Sequence, residues 1–407
     1  MRRVAVISTS SPLRRALPRT FPSRPFRVRF WDGGEVAATQ PDSPTFFVRE
    51  PSALAHFLRA PGQLGLGRAY VDGSLEVDDL DAAFRIVDEW QPPELSAADR
   101  ARLALAIAAA AAASGVPRVP GLEQVQRGRL HSIERDSAAV RYHYDVGNEF
   151  FSLFLDESMT YSCAIFSRGA QTLEQAQRTK LDLVASKLAL EPGMNVLDVG
   201  CGWGSFAIHA ATHYGVNVTG VTLSPAQAEL ARERVAEAGL SEQVEIRVAD
   251  YRQLPSSSFD AIASIGMAEH VGERQIDVYA RSLFGLLRPG ALLLNHAIAA
   301  LDPDDKPLDD VFSTRYVFPD GEPLALSRVQ LALERAGFYT EHAEGFREDY
   351  ALTLMHWSRR LDEHLERARE LAGDERTRVW RLYLRAARHG FETMHNAVYQ
   401  VCARRPA

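Results

Sequence analysis

The second half of the chain alternates between short apolar runs and amphipathic segments. The apolar runs have the length of strands and are rich in Val, Ile, Leu and Ala, and the segments between them have helical spacing. One intervening helix is predicted to begin after Ser224, with Pro225 at its first position. Such an alternation predicts a mainly parallel sheet with helices on both faces. The five runs are NVLDVG at 195–200, NVTGVTL at 217–223, VEIRVAD at 244–250, FDAIASIG at 259–266 and ALLLNHAIA at 291–299.

The first part of the chain has a different pattern. Residues 1–25 are rich in Pro, Ser and Arg and are predicted to form a loose arm. Short strand patterns begin near residue 26 and are followed by helical patterns, which predicts a smaller α+β domain over 26–120. The segment GVPRVPG at 115–121 is rich in Pro and Gly and is typical of a linker.

A larger domain is predicted over 121–407. It contains the alternating strands and helices, and it has a strongly helical insertion around 351–396. The apolar segment AVYQVCAR at 397–404 is predicted to be a closing strand.

The composition is that of a globular protein long enough for more than one domain. The chain has 407 residues, 46% hydrophobic and 24% charged, and a formal net charge of −7. A negative net charge argues against a general nucleic-acid binder, which carries a basic surface. The three cysteines are too few and too scattered for a disulfide framework or a zinc site, so we expect no metal and a reducing, cytoplasmic location. The longest apolar stretch, at 103–113, is shorter than the roughly 20 residues that cross a bilayer, which leaves peripheral membrane contact open.

A glycine-rich turn follows the first strand of the alternating half. VLDVGCGWG places Asp198 near the strand end and glycines at 200, 202 and 204 ahead of a helix. The spacing differs from the GxGxxG dinucleotide fingerprint, and the second strand ends without a carboxylate, so a nicotinamide cofactor is not expected. The pattern resembles the S-adenosylmethionine turn of Rossmann-like methyltransferases. Thr222 and Gln227 stand where most of those enzymes hold the ribose with an acidic residue.

Other segments carry a closer resemblance. YHYDVGNEFFSLFLDESMTYSCAIF at 142–166 is similar to the segment that precedes the cofactor turn in cyclopropane fatty-acid synthases and mycolic-acid cyclopropane synthases. TLSPAQ, DYRQL, EHVG, NHAI and EDYALTLMHW follow in the order used by that family, which includes methylating enzymes that make 10-methylene and tuberculostearic-acid-type chains. The resemblance covers about 140–407 and extends more weakly to LGLGRAYVDGSLE, which is similar to the phospholipid-acting enzymes. It implies a Rossmann-like α/β fold with a seven-stranded, mostly parallel sheet, helical insertions and a smaller, lipid-associated N-terminal α+β domain.

The resemblance also implies two groups of site residues. For catalysis the family holds a bicarbonate ion, and the matching positions are Cys163, Glu269, His296, the backbone of Ile298, and Tyr350. The mycolate enzymes often have Trp-Glu where this chain has Tyr251-Arg252. The positions implied for S-adenosylmethionine are Tyr144, Tyr161, Ser162, Asp198, Gly200, Gly202, Gly204, Thr222, Gln227, Asp250 and Tyr251.

The implied substrate is a cis-unsaturated acyl chain of a phospholipid. Its alkene is a poor nucleophile, so the methyl donor must be held in line with the π bond in a dry, apolar site. Methyl transfer leaves a carbocation, and a fixed base must then remove a proton from the added methyl group. Immediate proton loss closes a cyclopropane, whereas a preceding hydride shift leads to a methylene branch. The residues leave both products open.

Competing readings remain at the sequence level. A methyltransferase acting on oxygen or nitrogen of a small metabolite would need no bicarbonate site, and a non-catalytic lipid-binding protein would tolerate loss of Glu269. Cys163 is also compatible with a small core residue, and His296 and Tyr350 with ordinary buried polar groups. The segment RVWRLYLRAARHGF at 378–391 predicts either contact with anionic headgroups or a solvated basic face. The expected partner is the inner membrane surface, and relatives that act on phospholipids make a homodimer plausible.

Overall fold

The computed structural model describes residues 9–112, 114–124, 130–144, 146–255, 258–302 and 312–407. The strands, in chain order, are β1 (Arg27–Phe30), β2 (Glu35–Val36), β3 (Thr45–Val48), β4 (Leu75–Val77), β5 (Asn195–Val199), β6 (Asn217–Thr222), β7 (Val244–Val248), β8 (Phe259–Ile265), β9 (Leu287–Ala300), β10 (Tyr339–Gly345) and β11 (Asn396–Arg404). The helices are α1 (Ser11–Thr20), α2 (Ser52–Arg59), α3 (Gln63–Val71), α4 (Leu80–Glu89), α5 (Ala97–Ala111), α6 (Ile133–Tyr144), α7 (Asn148–Ser152), α8 (Leu173–Lys187), α9 (Ser205–Tyr214), α10 (Pro225–Glu237), α11 (Ile276–Leu286), α12 (Phe312–Tyr316), α13 (Leu326–Ala336), α14 (Arg347–Glu363) and α15 (Leu365–Glu392).

The chain folds into two compact units. Unit 1 consists of the described residues of Met1–Gln124, Asp309–Tyr316 and Ala372–Ala386. Unit 2 consists of the described residues of Val125–Leu308, Val317–Leu371 and Ala387–Ala407. Helix α15 contributes to both units, and it is interrupted at Gly373, where φ is +77°.

Unit 2 is built on a seven-stranded sheet with the order β10-β11-β9-β8-β5-β6-β7. The strands from β9 through β8, β5 and β6 to β7 are parallel, and β11 pairs antiparallel with both β9 and β10. The central strand β8 is buried along most of its length, because helices cover both faces of a parallel sheet. The predicted Rossmann-like α/β class is confirmed.

Alternating side chains of the strands build a core on each face of this sheet. Val196 packs into a core that includes residues of α8, α9 and α10. Its neighbour Leu197 faces the opposite core, which includes residues of α11 and α13. Because β5, β6, β7 and β8 are parallel, their carboxyl ends lie at one edge of the sheet, where α/β folds of this kind bind their ligands.

Unit 1 contains a four-stranded sheet with the order β2-β1-β3-β4. The predicted strand regions around residues 26–50 correspond to β1 and β3, which pair in parallel. The prediction of a loose arm over 1–25 is wrong for α1, which buries Leu13 and Ala16 in the core of this unit. Prolines suggested a loop, but Pro12 lies in the first helical turn, where its missing N–H removes no helical hydrogen bond.

The predicted domain division differs from the observed one in two places. Unit 1 ends its first segment at Gln124, close to the expected boundary at 120, but it also includes α12 and the middle of α15. The sequence pattern had placed α12 and the middle of α15 in the domain predicted over 121–407. Side-chain contacts within unit 1 explain the difference: the Tyr316 hydroxyl donates to Glu123 at 3.0 Å, and Arg378 donates to Glu76 at 2.9 Å.

The segment 378–391 is part of α15, and its structure favours a packing role. Arg378 pairs with Glu76, and Arg385 pairs with Asp81 at 3.1 Å, so these two cations are engaged within unit 1. Contact of this helix with lipid headgroups stays a prediction, to which these two paired arginines do not contribute. The large apolar side chains of the segment that are buried are Trp380, Leu384 and Phe391.

Candidate active site

A cavity opens at the carboxyl edge of the sheet in unit 2. It collects the residues that follow β5, β6, β7 and β8, together with residues of α6 and α8. Of the residues predicted to bind the cofactor, all except Gly204 line it. Gly204 instead precedes α9 and starts that helix with φ +82°. The predicted cofactor residues that line the cavity are Tyr144, Tyr161, Ser162, Asp198, Gly200, Gly202, Thr222, Gln227, Asp250 and Tyr251.

The glycine turn forms the floor of this cavity. Gly200 has φ +77°, and a Cβ atom there would lie 2.5 Å from Cγ of Met267. Gly202 has φ +54°, and a Cβ atom there would project into open space. Both glycines are therefore required by backbone conformation, and Gly202 additionally leaves room where the backbone faces the cavity.

The end of β6 presents a hydroxyl and an amide. Oγ1 of Thr222 donates to Oε1 of Gln227 at 2.8 Å, and both side chains are buried. The Ser224 hydroxyl caps α10 by accepting from the Gln227 backbone N–H at 3.3 Å, which fixes the first turn of that helix. Burial raises the pKa of Tyr144, which also hydrogen-bonds Gln227, so its phenol stays protonated.

The end of β7 is tied to α6 through an arginine. Both carboxylate oxygens of Asp250 accept from the Arg252 guanidinium, at 2.9 and 2.7 Å. The same guanidinium donates to Asp136 of α6 at 2.9 Å. Arg252 thus stands where the mycolate enzymes often have Glu, and it hydrogen-bonds the Asp250 carboxylate, which is one of the positions implied for S-adenosylmethionine.

Two buried charged groups lie side by side at the end of β5. Asp198 is 2% exposed, its Oδ2 has no hydrogen-bond partner among the described residues, and burial raises its pKa to about 7. Lys180 of α8 is 1% exposed and donates to the Ser162 hydroxyl at 3.0 Å. Burial lowers the pKa of Lys180 to about 8, while the nearby carboxylates of Asp156 and Asp198 oppose that shift.

Lys180 lines the cavity, and the sequence reasoning missed it. One signal was present. The chain has 46 Lys and Arg residues together, and nearly all of them are Arg. A lysine in such a chain marks a position at which lysine and arginine are not interchangeable.

Glu269 lies just beyond β8, in a short 3₁₀ turn, and contacts β9. Its Oε1 accepts from the Ile298 backbone N–H at 2.7 Å, so two of the predicted catalytic positions are in contact. Its Oε2 is buried without a hydrogen-bond partner among the described residues. Burial raises the pKa of Glu269 to about 7, and the Ile298 N–H opposes that shift.

His296 lies two residues before Ile298 on β9, so both residues point to the same face of the sheet. It is 2% exposed, and burial lowers its pKa to about 3, which keeps the imidazole neutral. The Gln400 amide donates to Nδ1 at 3.2 Å, which assigns the proton to Nε2. That Nε2–H is buried and has no acceptor among the described residues.

Cys163 and Tyr350 meet at the start of α14. Sγ of Cys163 contacts the Phe346 carbonyl at 3.7 Å, and that carbonyl accepts the Tyr350 backbone N–H at 3.1 Å. Burial raises the pKa of Cys163, so the group is a thiol and not a thiolate nucleophile. The Tyr350 ring packs 6.1 Å from that of Trp357, which lies 5.1 Å from the cavity residue Tyr161.

None of the five predicted catalytic residues lines the cavity, but two of them are adjacent in sequence to residues that do. Cys163 directly follows the cavity residue Ser162, and Glu269 lies between the cavity residues Met267 and His270.

In the part of the chain that the structure describes, no helix is long and apolar enough to cross a membrane. The described residues also include no group of three His, Cys, Asp or Glu side chains placed to hold a metal ion.

Known proteins with similar sequences share most of the length of this chain. A probable fatty acid methyltransferase of Pseudomonas putida is 38% identical over 387 residues, which span 94% of this chain and 92% of the relative. The cyclopropane-fatty-acyl-phospholipid synthase of Escherichia coli K12 is 34% identical over 355 residues, or 87% of this chain and 86% of the relative.

The fold of this chain is also similar to that of a solved structure. The mycolic acid cyclopropane synthase CmaA1, complexed with SAH and CTAB, is 34% identical and superposes with a TM-score of 0.62. The match covers 66% of this chain and 98% of that one. Residues 131–401 match the family described as mycolic acid cyclopropane synthetase. The chain belongs to this family of S-adenosylmethionine-dependent methyltransferases.

Proposed function

We propose that this enzyme transfers the methyl carbon of S-adenosylmethionine to the cis double bond of an unsaturated phospholipid acyl chain. The product is a cyclopropane or a methylene-branched chain. One observation carries the proposal: Glu269 and His296 each bury a polar atom that has no hydrogen-bond partner among the described residues. Both residues adjoin residues of the cavity that collects the cofactor positions, Glu269 in sequence and His296 by pairing with Ile265. A buried polar atom left unpaired is costly, so both atoms are expected to meet a ligand.

The reaction begins with donor and alkene held in line. The C–S bond of the sulfonium breaks, the alkene π electrons form a bond to the methyl carbon, and S-adenosylhomocysteine leaves. The cation that results must be kept from water. An aromatic wall supports this: the Phe151 ring lies 5.4 Å from Tyr161 and 5.1 Å from Trp203, and Tyr144 lies 5.6 Å from Trp203. The π faces of such rings also stabilise a nearby cation.

The second step removes a proton from the added methyl group. The C–H electrons close the cyclopropane ring, or, after a hydride shift, form the exomethylene double bond. Both outcomes need one base at one carbon, so the same residues serve either product. Of the two relatives, one is named a probable fatty acid methyltransferase and the other a cyclopropane-fatty-acyl-phospholipid synthase, at 38% and 34% identity.

The two unpaired atoms fit the bicarbonate that the resemblance implies. Oε2 of Glu269 is an acceptor for the hydroxyl of the ion, and the neutral His296 offers an Nε2–H donor. The raised pKa of Glu269 favours a shared proton over two adjacent negative charges. When bound, bicarbonate supplies a base that is a weak nucleophile. We place Cys163, Ile298 and Tyr350 at the rest of this site, with the thiol of Cys163 in a packing role.

The substrate class sets the expected location. Acyl chains of phospholipids lie in a bilayer, so we expect the enzyme to act as a peripheral protein on the inner membrane face. In the segment 378–391, Arg378 and Arg385 already pair with carboxylates of unit 1, so these two side chains are not the expected headgroup contacts.

The proposal is tested by lipid mass spectrometry of cells that express the chain and receive isotope-labelled methionine. Unsaturated acyl chains are expected to gain the mass of one CH₂ group and to carry the label, and mild hydrogenation then reduces a methylene branch but not a ring. The Glu269→Gln variant is the inactive control. Labelled small metabolites with unlabelled lipids would overturn the proposal and support oxygen or nitrogen methylation instead.

A further inference from the structure

Helix α8 carries a buried cation that the mechanism above does not use. Its buried positions recur at helical spacing and include Ala176, Gln177, Lys180, Leu181 and Val184, so Lys180 belongs to the face that packs against the sheet. Placing an ammonium group there costs several kcal/mol unless an opposite charge compensates it. Among the described residues no carboxylate forms an ion pair with Lys180, and its hydrogen bond goes to the neutral Ser162 hydroxyl at 3.0 Å.

The partner of Lys180, Ser162, is itself held by α8. The Gln177 amide donates to the Ser162 carbonyl at 2.9 Å and to the Thr160 carbonyl at 3.2 Å. The segment 160–162 therefore has a defined position relative to the helix, and its side chains reach the cavity from that side. The Ser162 hydroxyl and the Lys180 ammonium form a compact donor pair at one end of the cavity.

The same cavity also contains a carboxylate that can accept hydrogen bonds from a ligand ammonium group. Asp198 ends β5, lines the same cavity, and buries an Oδ2 atom that has no hydrogen-bond partner among the described residues. Lys180 and Asp198 act on each other electrostatically. One end of the cavity thus presents a buried ammonium group, hydrogen-bonded only to a neutral hydroxyl, and a buried carboxyl group with one oxygen unpaired among the described residues.

The order of the strands indicates which part of S-adenosylmethionine would lie near Lys180 and Asp198. β5 lies between β8 and β6, and β7 lies beyond β6. Thr222 and Gln227, after β6, stand where related methyltransferases hold the ribose. With the adenine placed beyond the ribose, at the residues after β7, the residues at the end of β5 face the amino-acid end of the donor. That end is a zwitterion, with one ammonium and one carboxylate.

We infer that Lys180, together with Ser162, binds the α-carboxylate of the methionine moiety, opposite the Asp198 carboxylate that receives its ammonium. The inference rests on the proposed function in requiring S-adenosylmethionine as the donor. It assigns Lys180 to donor binding, without a part in the chemical step. A lysine suits the position because a compact ammonium fits where the planar guanidinium of arginine is larger.

The test compares two ligands on purified full-length protein. One is S-adenosylhomocysteine, and the other is its decarboxylated analogue, which keeps the adenosine, sulfur and ammonium. The Lys180→Met variant removes the charge and keeps an unbranched side chain. Its affinity for S-adenosylhomocysteine is expected to fall about ten- to a hundredfold, as for loss of a charged hydrogen bond, while its affinity for the analogue stays within about twofold.

Lys187→Met is the matched control, because Lys187 lies on the same helix and pairs with Glu344 at 2.6 Å. It is expected to leave both affinities unchanged. Equal losses for both ligands in Lys180→Met, or no loss for either, would overturn the inference. If Lys180→Met does not fold, Ser162→Ala tests the same pair, with a smaller loss again confined to S-adenosylhomocysteine. A wild-type protein that binds neither ligand would contradict the proposed function itself.

Discussion

Single residues decide whether the cavity of unit 2 can support the second step of the reaction. Glu269 lies in the turn after β8, and His296 lies within β9. Their protonation states are set by burial, which raises the pKa of Glu269 and lowers that of His296. The result is a pair of groups that offer one acceptor and one donor to a small ligand.

Glu269→Gln is expected to lower turnover without changing donor binding. The amide still accepts from the Ile298 N–H, but it no longer offers a carboxylate to the proton-accepting ligand. We expect the rate of lipid methylation to fall about a hundredfold or more, with unchanged affinity for S-adenosylhomocysteine. Glu273→Gln is the control, because Glu273 is exposed and pairs with Arg328 at 2.6 Å. Full turnover in Glu269→Gln would remove the carboxylate from the mechanism.

The same substitution is expected to change how stability depends on pH. The pKa of Glu269 rises from 4.5 to about 7 on folding, so the folded state binds the proton more tightly than the unfolded state. Between these two values the folded protein loses stability as pH rises. Glu269→Gln lacks this loss, so relative to wild type it gains up to about 3 kcal/mol of unfolding free energy between about pH 5 and pH 8.

Denaturant unfolding of both proteins at the two pH values measures this difference. Any effect of the amide itself is independent of pH and cancels when the two pH values are compared. A difference in unfolding free energy that does not change with pH would mean that Glu269 is ionised in the folded protein throughout this range.

At the scale of elements, the N-terminal cap of a helix positions a side chain that we assign to donor binding. The Ser224 cap fixes the first turn of α10, which carries Gln227 to Thr222. An equivalent cap starts α5, where the Ser96 hydroxyl accepts from the Asp99 N–H at 3.1 Å. One cap therefore lies in the site, and the other lies in unit 1.

Ser224→Ala and Ser96→Ala are expected to cost similar stability but to differ in donor affinity. Each loses one cap, worth about 1 kcal/mol of unfolding free energy. Only Ser224→Ala is expected to raise the KM for S-adenosylmethionine, by several-fold, since it loosens the turn that holds Gln227. Thermal unfolding and initial rates measure both effects. Equal KM values for the two variants would show that the α10 cap has no role in positioning the donor site.

At the scale of the whole molecule, unit 1 is assembled from distant parts of the chain. Its first 124 residues contact α12 and the middle of α15 through pairs such as Arg378 with Glu76 and Arg385 with Asp81. Those pairs join residues about 300 positions apart, as their numbering shows. Unit 1 is thus not a separable N-terminal module.

A truncated chain of residues 125–407 is expected to be poorly soluble. It would keep α12 and the buried Trp380 and Leu384 but lack the residues that cover them. Solubility, limited proteolysis and S-adenosylhomocysteine binding are the measurements. Co-expression of residues 1–124 is expected to recover soluble protein. A truncated chain that is soluble, protease-resistant and binds S-adenosylhomocysteine would show that unit 2 folds alone.

The local pattern of apolar and polar residues was sufficient to predict much of the fold. The strands β5 to β9 were predictable because parallel strands buried on both faces have apolar runs separated by helical spacing. The turn from Asp198 to Gly204 was predictable because positive φ angles there require glycine. The prediction of a loose arm over residues 1–25 was wrong for α1, because prolines in a first helical turn look the same in sequence as prolines in a loop.

The sequence by itself determined the α/β class, the cofactor edge and, through a family resemblance, the residues to examine there. Only the tertiary structure decided that Glu269 meets the Ile298 N–H, that Lys180 lies beside Ser162 and Asp198, and that α15 completes unit 1. The reason is physical. Periodicity records which face of an element is buried, whereas the partner across the core depends on how all the elements pack together, and that packing sets each pKa and each unpaired atom.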